Sequence, residues 1–295
     1  LIARALFAAS AALVLLACGG APAATERTTP QPSRPIDAPI VDVRTGARMT
    51  LEELAIALDD ARVVYVGERH DAPADHEAQR AIIAALLARG GSLAIGMEMF
   101  QRPFQAPLDA YVARSIDEAE MLRATEWQER WNMDFALYRP ILELARDAGA
   151  PVIALNARRE LTRTIAREGD AALTPELRAE LPAEMVTDDA AHRAMIMEAF
   201  GEHPGMEPAM LERFYLAQLV WDETMAERVA STLASEGAPA RMVVLAGRVH
   251  VQGGLGIPRR AARRGAAPYR VVMPLLEEEL GDAAELCDYA FVVTE

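Results

Sequence analysis

Two Gly-x-x-His motifs, Gly67-Glu68-Arg69-His70 and Gly247-Arg248-Val249-His250, each follow a short apolar run, and Glu98 follows a third such run. Two imidazoles and a carboxylate are the ligand set of a facial divalent-metal site with open positions, so His70, Glu98 and His250 are the metal-ligating candidates. In such a site Glu68 or His76 could serve as the base that takes a proton from bound water. Taken singly, each histidine reads as a helix cap or a loop-ordering group; the convergence of the set is what indicates a site. His192, on a polar helix face, and His203, in Gly201-Glu-His-Pro-Gly205, read as solvated or loop-ordering. Ser-His-Asp and Cys-His nucleophile signatures, Walker-type loops and dinucleotide fingerprints are absent from the sequence.

The elements that must position these residues are strands and helices in alternation. β-rich runs occur at Val63–Val66, Leu93–Met97, Val152–Leu155, Met242–Leu245, Tyr269–Met273 and Tyr289–Val293, with amphipathic stretches such as Glu77 to Ala88 between them. That alternation predicts an α/β fold, with a mostly parallel central sheet flanked by helices. A small hairpin, Ile40–Val43 with Arg48–Thr50, leads into a helix over Leu51–Leu58, and residues 157–235 form a helical insertion between the third and fourth core strands. In an open parallel sheet, ligands bind beyond the carboxyl ends of the strands. The expected strand ends run into Gly67-Glu68-Arg69-His70, Glu98, Asn156 and Gly247-Arg248-Val249-His250, with glycine allowing a sharp turn in both histidine motifs.

The chain has 295 residues and a formal net charge of −14, with 52% hydrophobic residues. It can bury a full core, and its acidity excludes nucleic acid as a partner, since that affinity comes from Lys and Arg on phosphates. All 30 basic residues are Arg, so any cationic site here is built from planar guanidinium. Residues 1–17 read as a signal peptide, and Leu15-Leu16-Ala17-Cys18 resembles a lipobox with Cys18 as the lipidated residue. The apolar run before Cys18 is too short to span a bilayer as a helix. Residues 18–38 read as a proline-rich tether and residues 39–295 as one domain. The other cysteine, Cys287, lies in an apolar run and reads as an inert thiol. Arg259, Arg260, Arg263 and Arg264 form a cationic stripe, read as an exposed face paired with acids or, more sharply, as a contact for carboxylates or lipid headgroups. Aromatic residues and Met from Phe214 to Ala226 read as core packing on a long helix or, more sharply, as a surface for a flat cofactor.

Taken together, the motifs resemble the ChaN family of haem-binding uptake lipoproteins, within the wider Tiki, TraB and erythromycin-esterase-like superfamily. The likeness runs through Gly67-Glu-x-His70-Asp71, His76-x-x-Gln79, Gly96-Met-Glu98-Met-Phe100 with Gln105, Trp127 and Trp131, Tyr138-Arg-Pro-Ile-Leu142 and Ala154-Leu-Asn156. It continues through Gln218-x-x-Trp221-Asp222-x-x-Met225-Ala226 and Gly247-x-x-His250, covering about Val41 to the C-terminus. Val249 departs from the family's Gly-x-Gly-His form. The resemblance implies haem held by a tyrosinate, with Tyr215 and Tyr138 nearest the family motifs. It also implies propionates held by His or basic side chains from a partner subunit, and His70, His250 and Arg248 are the cofactor-contacting candidates beside the tyrosines. As partners it implies haem, a membrane reached through the lipid on Cys18, a homodimer and an outer-membrane haem receptor, all at the bacterial envelope. The superfamily also contains metal-dependent hydrolases and proteases, and the retained His70, Glu98 and His250 keep that alternative open, with a divalent ion as cofactor.

Overall fold

The computed structural model describes residues 40–200 and 207–294. The signal peptide, the tether with Cys18, and His203 therefore lie outside the described residues. A hairpin of β1 (Ile40–Asp42) and β2 (Arg48–Met49) precedes α1 (Leu51–Ala57). Then come β3 (Val63–Glu68), α2 (Pro73–Ala88) and β4 (Leu93–Gln101). Next are α3 (Gln105–Val112), α4 (Glu118–Ala124), α5 (Trp127–Arg130), α6 (Arg139–Ala148) and β5 (Val152–Asn156). The insertion consists of α7 (Arg159–Glu168), α8 (Pro175–Arg178), α9 (Ala190–Phe200) and α10 (Pro208–Ala234). The chain closes with β6 (Arg241–Gly247), α11 (Arg248–Val251), α12 (Ile257–Arg263), β7 (Tyr269–Leu275), α13 (Ala283–Leu286) and β8 (Tyr289–Val292).

The eight strands form one sheet in the order β2-β1-β8-β7-β3-β6-β4-β5. The pairs from β8 to β5 are parallel, and only β1 pairs antiparallel with its neighbours. Residues alternate between the two faces of a strand, and the core divides accordingly. Val64, Val66, Ile95 and Leu245 pack under Ile82, Ile83 and Leu142 on one face. Val63, Tyr65, Val244 and Met273 pack against Met225, Val229 and Ile257 on the other. Both faces are covered, as a parallel sheet requires.

Local signals explain several helix starts. Thr50 and Glu53 form a reciprocal capping box at α1, each side chain bonding the other's backbone N–H. Pro73 opens α2, where a missing N–H costs nothing. In the insertion, Leu161, Thr162 and Ile165 bury one face of α7, with Leu161 and Ile165 packed against Ala217 and Val220 of α10. Arg159, Arg163 and Arg167 are left on the solvent side of α7. No helix among the described residues is long and apolar enough to cross a membrane.

Two sequence expectations need correction. The strands β3 and β4 run past their expected ends, so Glu68 and Glu98 are strand residues rather than loop residues. Nor do the motif glycines serve a turn: Gly247 has an ordinary extended backbone (φ −53°, ψ 144°). Gly67 and Gly247 are needed for close approach, because a Cβ at Gly67 would fall on the Met273 sulfur and one at Gly247 on the His70 ring.

Candidate functional site

The carboxyl ends of three adjacent strands, β3, β6 and β4, bring His70, His250 and Glu98 together. These three line a cleft of about 410 Å³ together with Gln101, Arg130, Trp131, Asn156, Arg159, Gln218 and Trp221. This is the crevice that an open α/β sheet offers to ligands. Where β4 leaves its pairing with β5 the register shifts between Met97 and Gln101, a bulge that re-aims the side chains around Glu98.

Each imidazole is held by a buried carboxylate. His70 Nδ1–H donates to Glu68 Oε1 at 2.7 Å, and Glu68 also accepts from the Tyr138 hydroxyl at 2.8 Å and from the Gln79 amide at 2.8 Å. With its oxygens committed to three donors, Glu68 orients His70 and is not among the groups lining the cleft. His76 is also buried and donates from Nε2 to the His70 carbonyl at 3.1 Å, which fixes the loop rather than facing the cleft. The His70 ring meets Trp131 edge-on at 4.8 Å, and a Cβ on Gly247 would lie 3.1 Å from its Nε2.

The second pair is deeper. His250 Nδ1–H donates to Asp222 Oδ1 at 2.6 Å, and its Nε2 lies 3.4 Å from Glu98 Oε1. Glu98 Oε2 accepts from the Gly247 N–H at 2.7 Å. Asp222 is fully buried and accepts from His192 Nε2–H on its other oxygen at 2.7 Å, and His192 Nδ1 meets the Tyr215 hydroxyl at 3.3 Å. A continuous chain of polar contacts thus runs from Glu98 through His250, Asp222 and His192 to Tyr215. His192 is completely buried, contrary to the solvated role expected from its sequence context, because α9 turns it onto α10.

Burial alone would raise Glu98 and Asp222, but the facing imidazoles win and bring each down to about 2. For Glu98 these are His250 and His70; for Asp222 they are His250 and His192. Burial opposes the protonated form of His250, yet Glu98 and Asp222 raise it well above its ordinary value. His70 is raised too, with its Glu68 hydrogen bond and the Glu98 charge outweighing burial. The cleft floor therefore carries a buried ion pair, His250 between Glu98 and Asp222, with His70 beside it held by Glu68.

The metal expectation changes form. His70, Glu98 and His250 do meet, but His70 is hydrogen-bonded to Glu68 and His250 to Asp222, and no group of three or more His, Cys, Asp or Glu among the described residues is arranged to hold a metal ion. Arg248 lies away from the cleft, tied to Glu279 at 2.6 Å and to the Pro274 carbonyl. Neither Tyr138 nor Tyr215 lines the cleft; both are buried, and burial pushes both hydroxyls up. The arginine stripe on α12 is no free face. Arg260 is buried on Glu223, Arg263 and Arg264 reach Glu223 at 3.0 and 2.7 Å, and Arg259 pairs with Asp189. Cys287 is half-buried, its thiol pushed up to about 12 by burial.

Sequence reasoning missed Arg130 and Arg159, and it named Gln218 and Asp222 only as motif residues, without the cleft position of the one or the bridging role of the other. The signal was present: Gln218 and Asp222 stand four apart, and hence on one face, in a helix whose neighbours are mostly apolar. Gln218 Oε1 is buried in the cleft wall with no hydrogen-bond partner among the described residues.

Fold and site together define an α/β protein with a ligand cleft at the carboxyl edge of a mostly parallel sheet, floored by carboxylate–imidazole pairs. The chain belongs to the family described as haem-binding uptake, Tiki superfamily, ChaN, whose profile matches residues 54–261. The solved structure of cofacial heme binding to ChaN of Campylobacter jejuni is 20% identical, with a TM-score of 0.66 over 88% of this chain and 98% of that one. Weaker likenesses include an erythromycin esterase, EreC, in its open conformation (15% identical, TM-score 0.47, 75% of this chain and 72% of that one). Another is the C-terminal region of Pasteurella multocida toxin (13% identical, TM-score 0.45, 78% of this chain and 26% of that one). No curated protein matches the chain.

The ion pairs make stability pH-dependent. Asp222 and Glu98 lie below their ordinary values of 3.8 and 4.5, so the stability they add is present above those values and lost as pH falls toward about 2. His250 acts in the opposite sense, stabilising fully below its ordinary 6.5 and losing that contribution as pH rises through its raised value. Asp222→Asn should cost about 3–5 kcal/mol at neutral pH, because it leaves buried imidazoles without their anion, and should flatten the acid limb of the stability curve. Urea midpoints measured across the acid range test this; an acid limb as steep as wild type would refute it.

Proposed function

We propose that the protein binds haem in the cleft at the carboxyl edge of the sheet, as a lipid-anchored accessory of haem and iron uptake at the bacterial envelope. The observation that carries this reading is the family match across residues 54–261. The residues of the cleft suit a porphyrin in two respects. Trp131 and Trp221 supply aromatic walls, and the guanidinium of Arg159 stands beside them for carboxylates. They do not supply a tyrosinate, since no tyrosine lines the cleft. The available donor is His70 Nε2, left free while Glu68 holds Nδ1, in the manner of a ligating histidine oriented through its other nitrogen. Bound haem would be held as cargo, with the iron's chemistry supplied by the haem itself.

Titrating the purified protein with hemin should give a saturable, stoichiometric Soret change. His70→Ala should weaken it by about 10-fold or more, while Tyr215→Phe should leave it unchanged. Absence of saturation in wild type would remove the reading. The envelope assignment rests on the sequence of residues 1–18 and belongs to the same proposal, as do pairing into a homodimer and hand-over to an outer-membrane haem receptor. Radiolabelled palmitate should be incorporated by a bacterial host and lost in Cys18→Ala; equal labelling of both would exclude lipidation at this residue.

A second reading, hydrolysis at the same cleft, is favoured by one observation: two carboxylate–imidazole pairs converge on its floor. Such pairs can deliver a proton to a leaving group and hold a water for attack. On this reading the protein turns over p-nitrophenyl esters, and Glu98→Gln lowers the rate by about 100-fold or more. No turnover above buffer would dismiss it.

A further inference from the structure

Beside the cleft lies a second groove of about 290 Å³, lined by Arg159, Thr162, Arg163, Ala166, Arg167 and Trp221. The two cavities share Arg159 and Trp221. Along α7, Arg159, Arg163 and Arg167 recur every fourth residue, so their guanidiniums form one row about 12 Å long at 1.5 Å per residue. Like charges at that spacing repel, which destabilises a helix unless an anion answers them.

Elsewhere in this acidic chain arginines are mostly answered: Arg130 by Glu126 and Glu160, Arg158 by Glu180, Arg102 by Glu227. Among the described residues, no acid pairs with Arg163 or Arg167. Glu160, on the same helix, is taken by Arg130 at 3.1 Å. The opposite face of α7 is fixed by Leu161 and Ile165 against α10, and its start is pinned where the Arg159 N–H donates to Gln101 Oε1 at 3.1 Å. The row is thus a rigid cationic wall that begins in the cleft and runs out of it. Guanidiniums in this position suit planar, bidentate carboxylate recognition.

We propose that the Arg159–Arg163–Arg167 face of α7 is the subsite for the paired carboxylates of the porphyrin that the cleft takes, an inference that rests on the haem reading. The ring lies toward Trp221 and the carboxylates toward the groove, which sets the ligand's orientation relative to His70.

The test compares hemin with hemin dimethyl ester, whose carboxylates are blocked, by fluorescence quenching of the cleft tryptophans. Wild type should bind hemin about 10-fold or more tighter than the ester, and Arg163→Gln with Arg167→Gln should bring the two to within about twofold while ester affinity stays unchanged. A control removing the same charge elsewhere, Arg80→Gln with Arg123→Gln, should keep the wild-type ratio. Retention of the wild-type ratio in the α7 variant, or equal loss of both ligands, would overturn the subsite while leaving haem binding standing. Failure of wild type to bind hemin would overturn both.

Discussion

One buried anion governs how this molecule is put together. Asp222 is withdrawn from water and depends on two imidazole donors, His250 at 2.6 Å and His192 at 2.7 Å. An unpaired carboxylate in such a place costs several kcal/mol, and the attraction of its partners repays that only while both hydrogen bonds are made. The acceptor sits on α10, one donor on α11 after β6 and the other on α9, so three separate helices are drawn to a single point. The helical insertion is keyed to the sheet by charge as well as by the apolar contact of Met225 and Val229 with it.

Strand order supplies the second constraint. Because β6 lies between β3 and β4, the histidine after β6 meets the carboxylate of β4, and the histidine after β3 reaches across β6. That reach is open only because residue 247 lacks a Cβ; one placed there would be 2.9 Å from the His70 ring. The same glycine's N–H secures Glu98 at 2.7 Å. Gly247 therefore couples the two acid–base pairs, and its presence in the motif reflects packing against an imidazole rather than a special backbone angle.

The sheet was legible in the sequence because each of its six core strands is built on an apolar run, the pattern of strands buried on both faces. The convergence of His70, Glu98 and His250 was legible too, since it follows from the rule that parallel strands present their carboxyl ends to ligands. What escaped was the protonation partner of each imidazole. Asp222 and His192 lie 30 residues apart on separate helices, and only the packing of α9 on α10 makes them neighbours. Glu68 was legible as a polar residue near His70, but not as one already engaged by Tyr138 and Gln79. The buried state of Tyr138 and Tyr215 likewise depends on tertiary contacts that motif likeness does not carry.

The cleft's electrostatics now separate into two parts with different capacities. On the floor, raised imidazoles stand beside lowered carboxylates, so charge is largely cancelled and what remains is directional hydrogen bonding. On the wall, the guanidiniums of α7 keep their charge, in a chain whose acidity would otherwise repel anions. A ligand that uses both parts needs a polar centre to address the floor and acidic groups offset to one side. A neutral ester or a free inorganic anion meets only one of these demands, whereas a flat molecule with a ligand-accepting centre and carboxylates along one edge meets both. Arginine alone supplies the wall, and its planar fork can lie along Trp221 while it grips a carboxylate. The absence of lysine thus leaves the site a more orientation-specific cation than an ammonium would be.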